Sequence, residues 1–155
     1  MYSGSYDRTI KLWKTSQENG KLTCIQTLNG HTGNVFSMAL NKEEKILYSG
    51  SIDRTIKLWK ASQKDGKLAC IQTLEGHTGF VTCLVWNKED KILYSGSRDR
   101  KIKLWKASQE DGKVTCIQTL EGHTNGVTCL IWNKEEKIMY SGSYDKKIKL
   151  WYFIY

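Results

Sequence analysis

The chain has 155 residues and a formal net charge of +8, with 39% hydrophobic, 26% charged and 11% aromatic residues. This balance excludes a disordered chain, and the length allows one hydrophobic core or a slice of a larger assembly. Positive charge raises nucleic acid or an anionic surface as a partner, but the lysines are spread along the whole chain without a basic cluster, so nucleic acid is not the expected ligand.

Six Trp and eight Tyr with no Pro suit strands more than helices. No apolar run approaches membrane-spanning length, and nothing near Met1 resembles a signal peptide. The five cysteines are odd in number and sit in strand-like contexts. The expectation is therefore reduced, buried thiols and a cytoplasmic protein, with the nucleus as the alternative. No Cys or His pair has the short spacing of a zinc site, so neither a metal nor a cofactor is expected.

Taken in order, the first legible stretch is Tyr2–Trp13, and nearly the same residues return at Tyr48–Trp59, Tyr94–Trp105 and Tyr140–Trp151. Trp13, Trp59, Trp105 and Trp151 are 46 residues apart. Residues 21–66, 67–112 and 113–155 align without gaps, and residues 1–20 match the last part of a unit. The first two units are identical at 34 of 46 positions. A fixed period decides the architecture before any local reading, and here it makes residues 1–155 a single domain of repeats.

In the unit 67–112, Lys67–Leu74 reads as a strand, ended by Glu75-Gly-His-Thr-Gly79. Val81–Trp86 reads as a strand buried on both faces, followed by the charged turn Asn87–Lys91. Ile92–Ser97 and Lys101–Trp105 are two more strands, separated by a turn around Asp99, and loop 106–112 leads to the next unit. Four short strands per unit, without helical periodicity, predict an all-β protein built from antiparallel sheets of the kind that form propeller blades.

The spacing of Gly-His to Trp, with Ser-Gly-Ser-x-Asp-x-x-Ile-Lys-Leu-Trp inside it, resembles the WD-repeat β-propeller family over the whole chain. The flavour is that of WD-repeat domains attached to kinases and ubiquitin ligases. Lys14, Lys60, Lys106 and Tyr152 follow the Trp where the family has Asp. The Asn-Lys-Glu-Glu/Asp-Lys turn lacks the usual Pro and Gly. The resemblance implies a partial propeller of about 3.5 four-stranded antiparallel blades: three strands, then four, four and three.

Each unit places a His, a Ser and an Asp where a hydrolase triad could be read: His31, Ser49 and Asp53; His77, Ser95 and Asp99; His123, Ser141 and Asp145. A triad needs one activated nucleophile beside an oxyanion hole, whereas this set recurs in every unit, always with Trp59, Trp105 or Trp151. The resemblance implies instead a buried Asp–His–Ser–Trp hydrogen-bond chain bracing each blade, and no enzyme. Trp can only donate and ionised Asp can only accept, so the ends of such a chain have consistent polarity.

The resemblance also implies that the Gly-His loops and Asp turns share one rim, where partners dock. The copies differ there: Tyr6, Ile52, Arg98 and Tyr144 precede the turn Asp. Asn34 and Phe36, Phe80 and Thr82, and Gly126 and Thr128 start the innermost strands. Large aromatic and Arg substitutions are of the type enriched at binding hot spots, so these positions are the candidate surface for a protein or peptide partner. Trp86, Trp132 and Leu40 read as core, and Tyr152–Tyr155 as a cover for an exposed surface. Three and a half blades cannot close a ring, and an open arc leaves apolar faces and strand edges bare. The expectation is a homo-oligomer, a dimer before a trimer. The alternatives are a module for anionic partners (phosphopeptide, phosphoinositide or nucleic acid), or a fragment of a larger WD-repeat protein.

Overall fold

The computed structural model describes residues 1–153, in which there are fourteen strands and no helix, hence none long and apolar enough to cross a membrane. The first sheet holds β1 (Tyr2–Gly4), β2 (Ile10–Thr15) and β3 (Leu22–Leu28). The second holds β4 (Val35–Asn41), β5 (Ile46–Ser51), β6 (Ile56–Ala61) and β7 (Leu68–Leu74). The third holds β8 (Val81–Asn87), β9 (Ile92–Ser97), β10 (Ile102–Ala107) and β11 (Val114–Leu120). The fourth holds β12 (Val127–Asn133), β13 (Ile138–Ser143) and β14 (Ile148–Tyr152). Neighbours within each sheet are antiparallel and consecutive in the chain. The fold is the partial all-β propeller expected from the repeat, with strand ends moved by one or two residues.

Side chains fix the turns. In the second sheet, Ser51 Oγ accepts the Asp53 N–H at 3.1 Å, and Asp53 Oδ1 accepts the Thr55 N–H at 3.0 Å. This network holds Arg54 at φ 73°, as Arg8 and Arg100 are held at 72° and 73° in their turns. The left-handed region costs a non-glycine residue about 1–2 kcal/mol, so the Asp is placed where it offsets strain.

The sheets cover one another. Ile46, Leu58 and Leu74 of the second sheet pack with Val81, Leu84 and Leu93 of the third. Contact is tight at the glycines of the second and third sheets' Ser-Gly-Ser strands: a Cβ on Gly50 would lie 2.6 Å from Val81 Cγ1, and one on Gly96 2.7 Å from Val127 Cγ1. Polar clamps reinforce this apolar contact. The Gln72 side chain donates to Val114 O at 2.7 Å and accepts the Val114 N–H at 3.0 Å, and Gln26 does the same to Leu68. Ser37 Oγ accepts the Leu84 N–H at 3.0 Å.

The fourth sheet has no sheet beyond it, and its face is bare. Ile10, Ile56 and Ile102 are each 1% exposed, whereas the equivalent Ile148 is 74% exposed. The segments Tyr2–Trp13 and Tyr140–Trp151 are nonetheless identical at ten of twelve positions. Environment, not sequence, makes the difference.

The cysteines correct an expectation. Only Cys83 is buried, and burial pushes its thiol up to about 12. Cys24, Cys70 and Cys116 lie on the outermost strands, β3, β7 and β11, and are exposed, as is Cys129 on the uncovered sheet. Trp86 and Trp132 are half-buried rather than fully enclosed. Of the tail, Phe153 packs against Tyr94 and Trp132; Ile154 and Tyr155 lie outside the described residues.

Overpacking the glycine notch should destabilise by about 1–3 kcal/mol. Gly96→Ala and Gly142→Ala provide a matched pair, since both meet a cysteine sulfur but only Gly96 also meets a valine of the next sheet. Denaturant melts should show Gly96→Ala as the more damaging; equal losses would show that the inter-sheet contact is not what the glycine serves.

Candidate functional site

The triad-like residues converge as three copies of one network. Trp105 Nε1–H donates to Ser95 Oγ at 2.8 Å, Ser95 Oγ lies 2.8 Å from His77 Nε2, and His77 Nδ1 lies 2.6 Å from Asp99 Oδ2. The sets Trp59–Ser49–His31–Asp53 and Trp151–Ser141–His123–Asp145 agree with these distances to 0.1 Å. Because the carboxylate can only accept, Nδ1–H donates to it, and Nε2 of the neutral ring accepts the Ser O–H. Each Asp also accepts the backbone N–H of the residue after the His: Thr32, Thr78 or Thr124, at 3.0–3.1 Å. The first sheet has only the Trp13–Ser3 half, at 2.8 Å.

Ser49, Ser95 and Ser141 are 0–1% exposed and spend their hydroxyls inside the network. None is presented to a substrate, so the geometry is a brace between the Gly-His loop and the Asp turn. Burial disfavours charge on Asp53 and Asp99, but hydrogen bonds from Thr55 and His31, and from His77, outweigh it and hold both below the ordinary 3.8. Against the same burial, His123 and the Thr124 and Lys147 N–H groups hold Asp145 down at about 2. Burial pushes His31 below its ordinary 6.5 despite Asp53 beside it.

A different set of residues gathers at the inner ends of the blades. Tyr6, Phe36, Phe80 and Arg98 line one groove of about 320 Å³, together with Thr82, Thr128 and Tyr144. Tyr6 meets Phe36 edge-on, with ring centroids 5.7 Å apart. The Arg98 guanidinium lies 4.1 Å over the Tyr144 ring, and its Nη2–H donates to the Tyr144 hydroxyl at 3.2 Å. Arg98 reaches across because Gly126 leaves room: a Cβ there would lie 2.8 Å from Arg98 Cδ. Thr82 Oγ1 is turned inward and donates to Val127 O at 2.6 Å.

Of the ten positions singled out from the sequence, seven line this groove; Asn34, Ile52 and Gly126 do not. The Asn34 carbonyl accepts the Ile52 N–H at 2.9 Å, and the Ile52 side chain packs over Gly33. One geometric cause lay beyond the sequence. The pairing of β4 with β5 passes from Val35 to Ser37, and the equivalent shifts skip Thr82 and Thr128, so Phe36, Thr82 and Thr128 each sit on a β-bulge. A bulge re-aims a side chain, which brings these three to the groove. Among the described residues, no group of three or more His, Cys, Asp or Glu is gathered to hold a metal ion.

Asp99→Ala removes the acceptor of His77, Thr78 and Lys101, and should cost about 1–3 kcal/mol for the donors left unpaired. Linkage gives the pH dependence. Stability from neutral His31 is complete above 6.5 and is lost as pH falls toward its depressed folded value. That from Asp53 and Asp99 is complete above 3.8 and is lost as pH falls through their lower values. Melts at pH 7.5, 5.0 and 2.5 should therefore fall in two stages; a flat profile would remove both assignments.

The family model described as WD domain, G-beta repeat matches residues 1–14, 22–60, 68–106 and 114–152, and each of the last three matches starts on the outermost strand of one sheet and continues through the first three strands of the next. Comparison with curated proteins finds no significant match. With four sheets of the expected strand order and a match across most of its length, the chain belongs to the WD-repeat (G-beta repeat) family.

Proposed function

We propose that this chain is a non-enzymatic protein-interaction scaffold, as WD-repeat domains in general are, and that its partner surface is the groove of Tyr6, Phe36, Phe80 and Arg98. The observation that carries this reading is the composition of the groove: it is lined by positions at which the repeats differ, on a frame where they agree. Tyr6 is 75%, Tyr144 52%, Phe36 40% and Phe80 37% exposed, an amount of aromatic surface that favours a partner. One guanidinium beside four aromatic rings suits a peptide that carries an apolar side chain near a single carboxylate. A polyanion would need several such cations.

Self-association that closes the ring, a homodimer in preference to a trimer, is the second part of the reading. Its support is the bare fourth sheet, where Ile148 and Leu150 are 74% and 46% exposed while their counterparts Ile102 and Leu104 are 1% and 2%. The four solvent-exposed free thiols suit a reducing, cytoplasmic setting.

Peptides selected on the chain from a random display library provide the test of the groove. Phe80→Ala and Arg98→Glu should each weaken the selected peptide roughly tenfold or more, as hot-spot truncations do, with unchanged melts; equal binding by all variants would refute the surface. Sedimentation equilibrium tests assembly. The mass should double with concentration and Ile148→Asp should hold the chain monomeric, whereas a wild-type monomer at every concentration would refute self-association.

A further inference from the structure

A second recess lies at the opposite ends of the strands, and the chain displays it in two states. Strand β5 runs from the turn at 42–45 toward the Asp53 turn, so Tyr48 near its start lies on the rim away from the groove. There Trp86 stacks on Tyr48, with ring centroids 5.4 Å apart and planes 21° from parallel. A cavity of about 250 Å³ opens beside this pair, also lined by Leu58, Trp105 and Ala107. One inter-sheet interface later the pair recurs as Tyr94 on Trp132, at 5.6 Å and 19°. The residue 46 positions beyond Ala107 is Phe153, and its ring lies 5.6 Å from Tyr94 and 5.9 Å from Trp132. The same aromatic pair thus occurs once with a ring seated on it and once without. At the interface before, Leu40 stands where these tryptophans do, and the pair is not formed.

We propose that the Tyr48–Trp86 recess is a binding site for an aromatic side chain presented by a peptide partner, in the pose that Phe153 adopts on Tyr94 and Trp132. The pair offers ring faces and edges to a third ring at the separations aromatic clusters prefer, about 4.5–7 Å between centroids. The volume falls below the roughly 300–1,000 Å³ of sites for whole small ligands, which points to one side chain rather than a cofactor. Burial pushes the Tyr48 phenol up to about 12, so the pair remains uncharged across the neutral range. Glu44, Lys91 and Lys106 on the rim supply both signs of charge to the flanks of an incoming chain. The site is separate from the groove of Arg98 and does not rest on it.

The test uses the full chain, with N-acetyl-phenylalaninamide as probe, N-acetyl-alaninamide as control, and the indole N–H resonances of Trp86 and Trp132 as reporters. In the wild type the phenylalanine probe should shift Trp86 and leave Trp132 in place, saturating at roughly millimolar concentration. Ala107→Phe, which copies the arrangement at Phe153, should abolish the Trp86 shift by filling the recess. Phe153→Ala should open the second recess, so that Trp132 also shifts. Should Ala107→Phe fail to fold, Trp86→Leu copies position 40 and removes the platform; the probe should then leave that variant unaffected when Tyr48 is followed by its ring resonances. Arg98→Glu should respond like the wild type. No Trp86 shift up to the solubility of the probe, an equal shift with the alanine control, or an undiminished shift in Ala107→Phe would each overturn the site.

Discussion

A sheet has two faces, and the described residues include no helix with which to cover either. Each sheet is therefore covered by the next, and nearly everything else in the structure answers to that constraint. The glycines at 50 and 96 are where the following sheet's valines come closest. Gln26 and Gln72 present a side-chain amide that pairs with the next outer strand as a peptide group would. Ser37 and Thr82 carry polar bonds between innermost strands. Where the series stops, residues of the same identity become surface, as Ile148 does.

The Trp–Ser–His–Asp networks show how residues associated with catalysis become structural. A nucleophilic serine needs an accessible oxygen and a base free to take its proton. Ser95 lacks the first: its hydroxyl donates to His77, but the oxygen is fully buried and already accepts the Trp105 N–H, so no substrate can reach it. The carboxylate is fully engaged as well, by His77 and two backbone N–H groups. Such a closed circuit holds a loop rigid. Rigidity at the Asp turn in turn positions the neighbouring residue, Arg98, at the groove.

The architecture was legible because repetition converts one sequence into an alignment with itself. The period, the four strands and the bracing residues all follow from it, and the differences between copies led to Phe80, Arg98 and Tyr144. The cysteines were misread because strand context does not say which strand is outermost. Cys70 lies beside a bulge at Ile71 on β7, a solvent-facing strand, while Cys83 lies on β8 between two sheets. Asn34 and Ile52 were drawn in by variability alone, although the Ile52 side chain packs over Gly33 and neither residue reaches the groove. The Tyr48–Trp86 recess was not legible because its walls come from two different repeats. A unit-by-unit reading does not place Tyr48 against Trp86, or Phe153 against Tyr94.

The near-identity of Tyr2–Trp13 and Tyr140–Trp151 has a kinetic consequence. During folding, the edge that β1 and β2 occupy beside β3 and β4 can be entered by β13 and β14 with almost the same hydrogen bonds and side chains. Such a chain slips by a whole repeat without crossing an unfavourable register, and two chains can exchange ends on the same terms. What separates the correct arrangement from its shifted alternatives is then the small set of residues that differ between repeats. Several of those residues line the groove and the recess, so positions available for recognising partners are also among those that tell the blades apart.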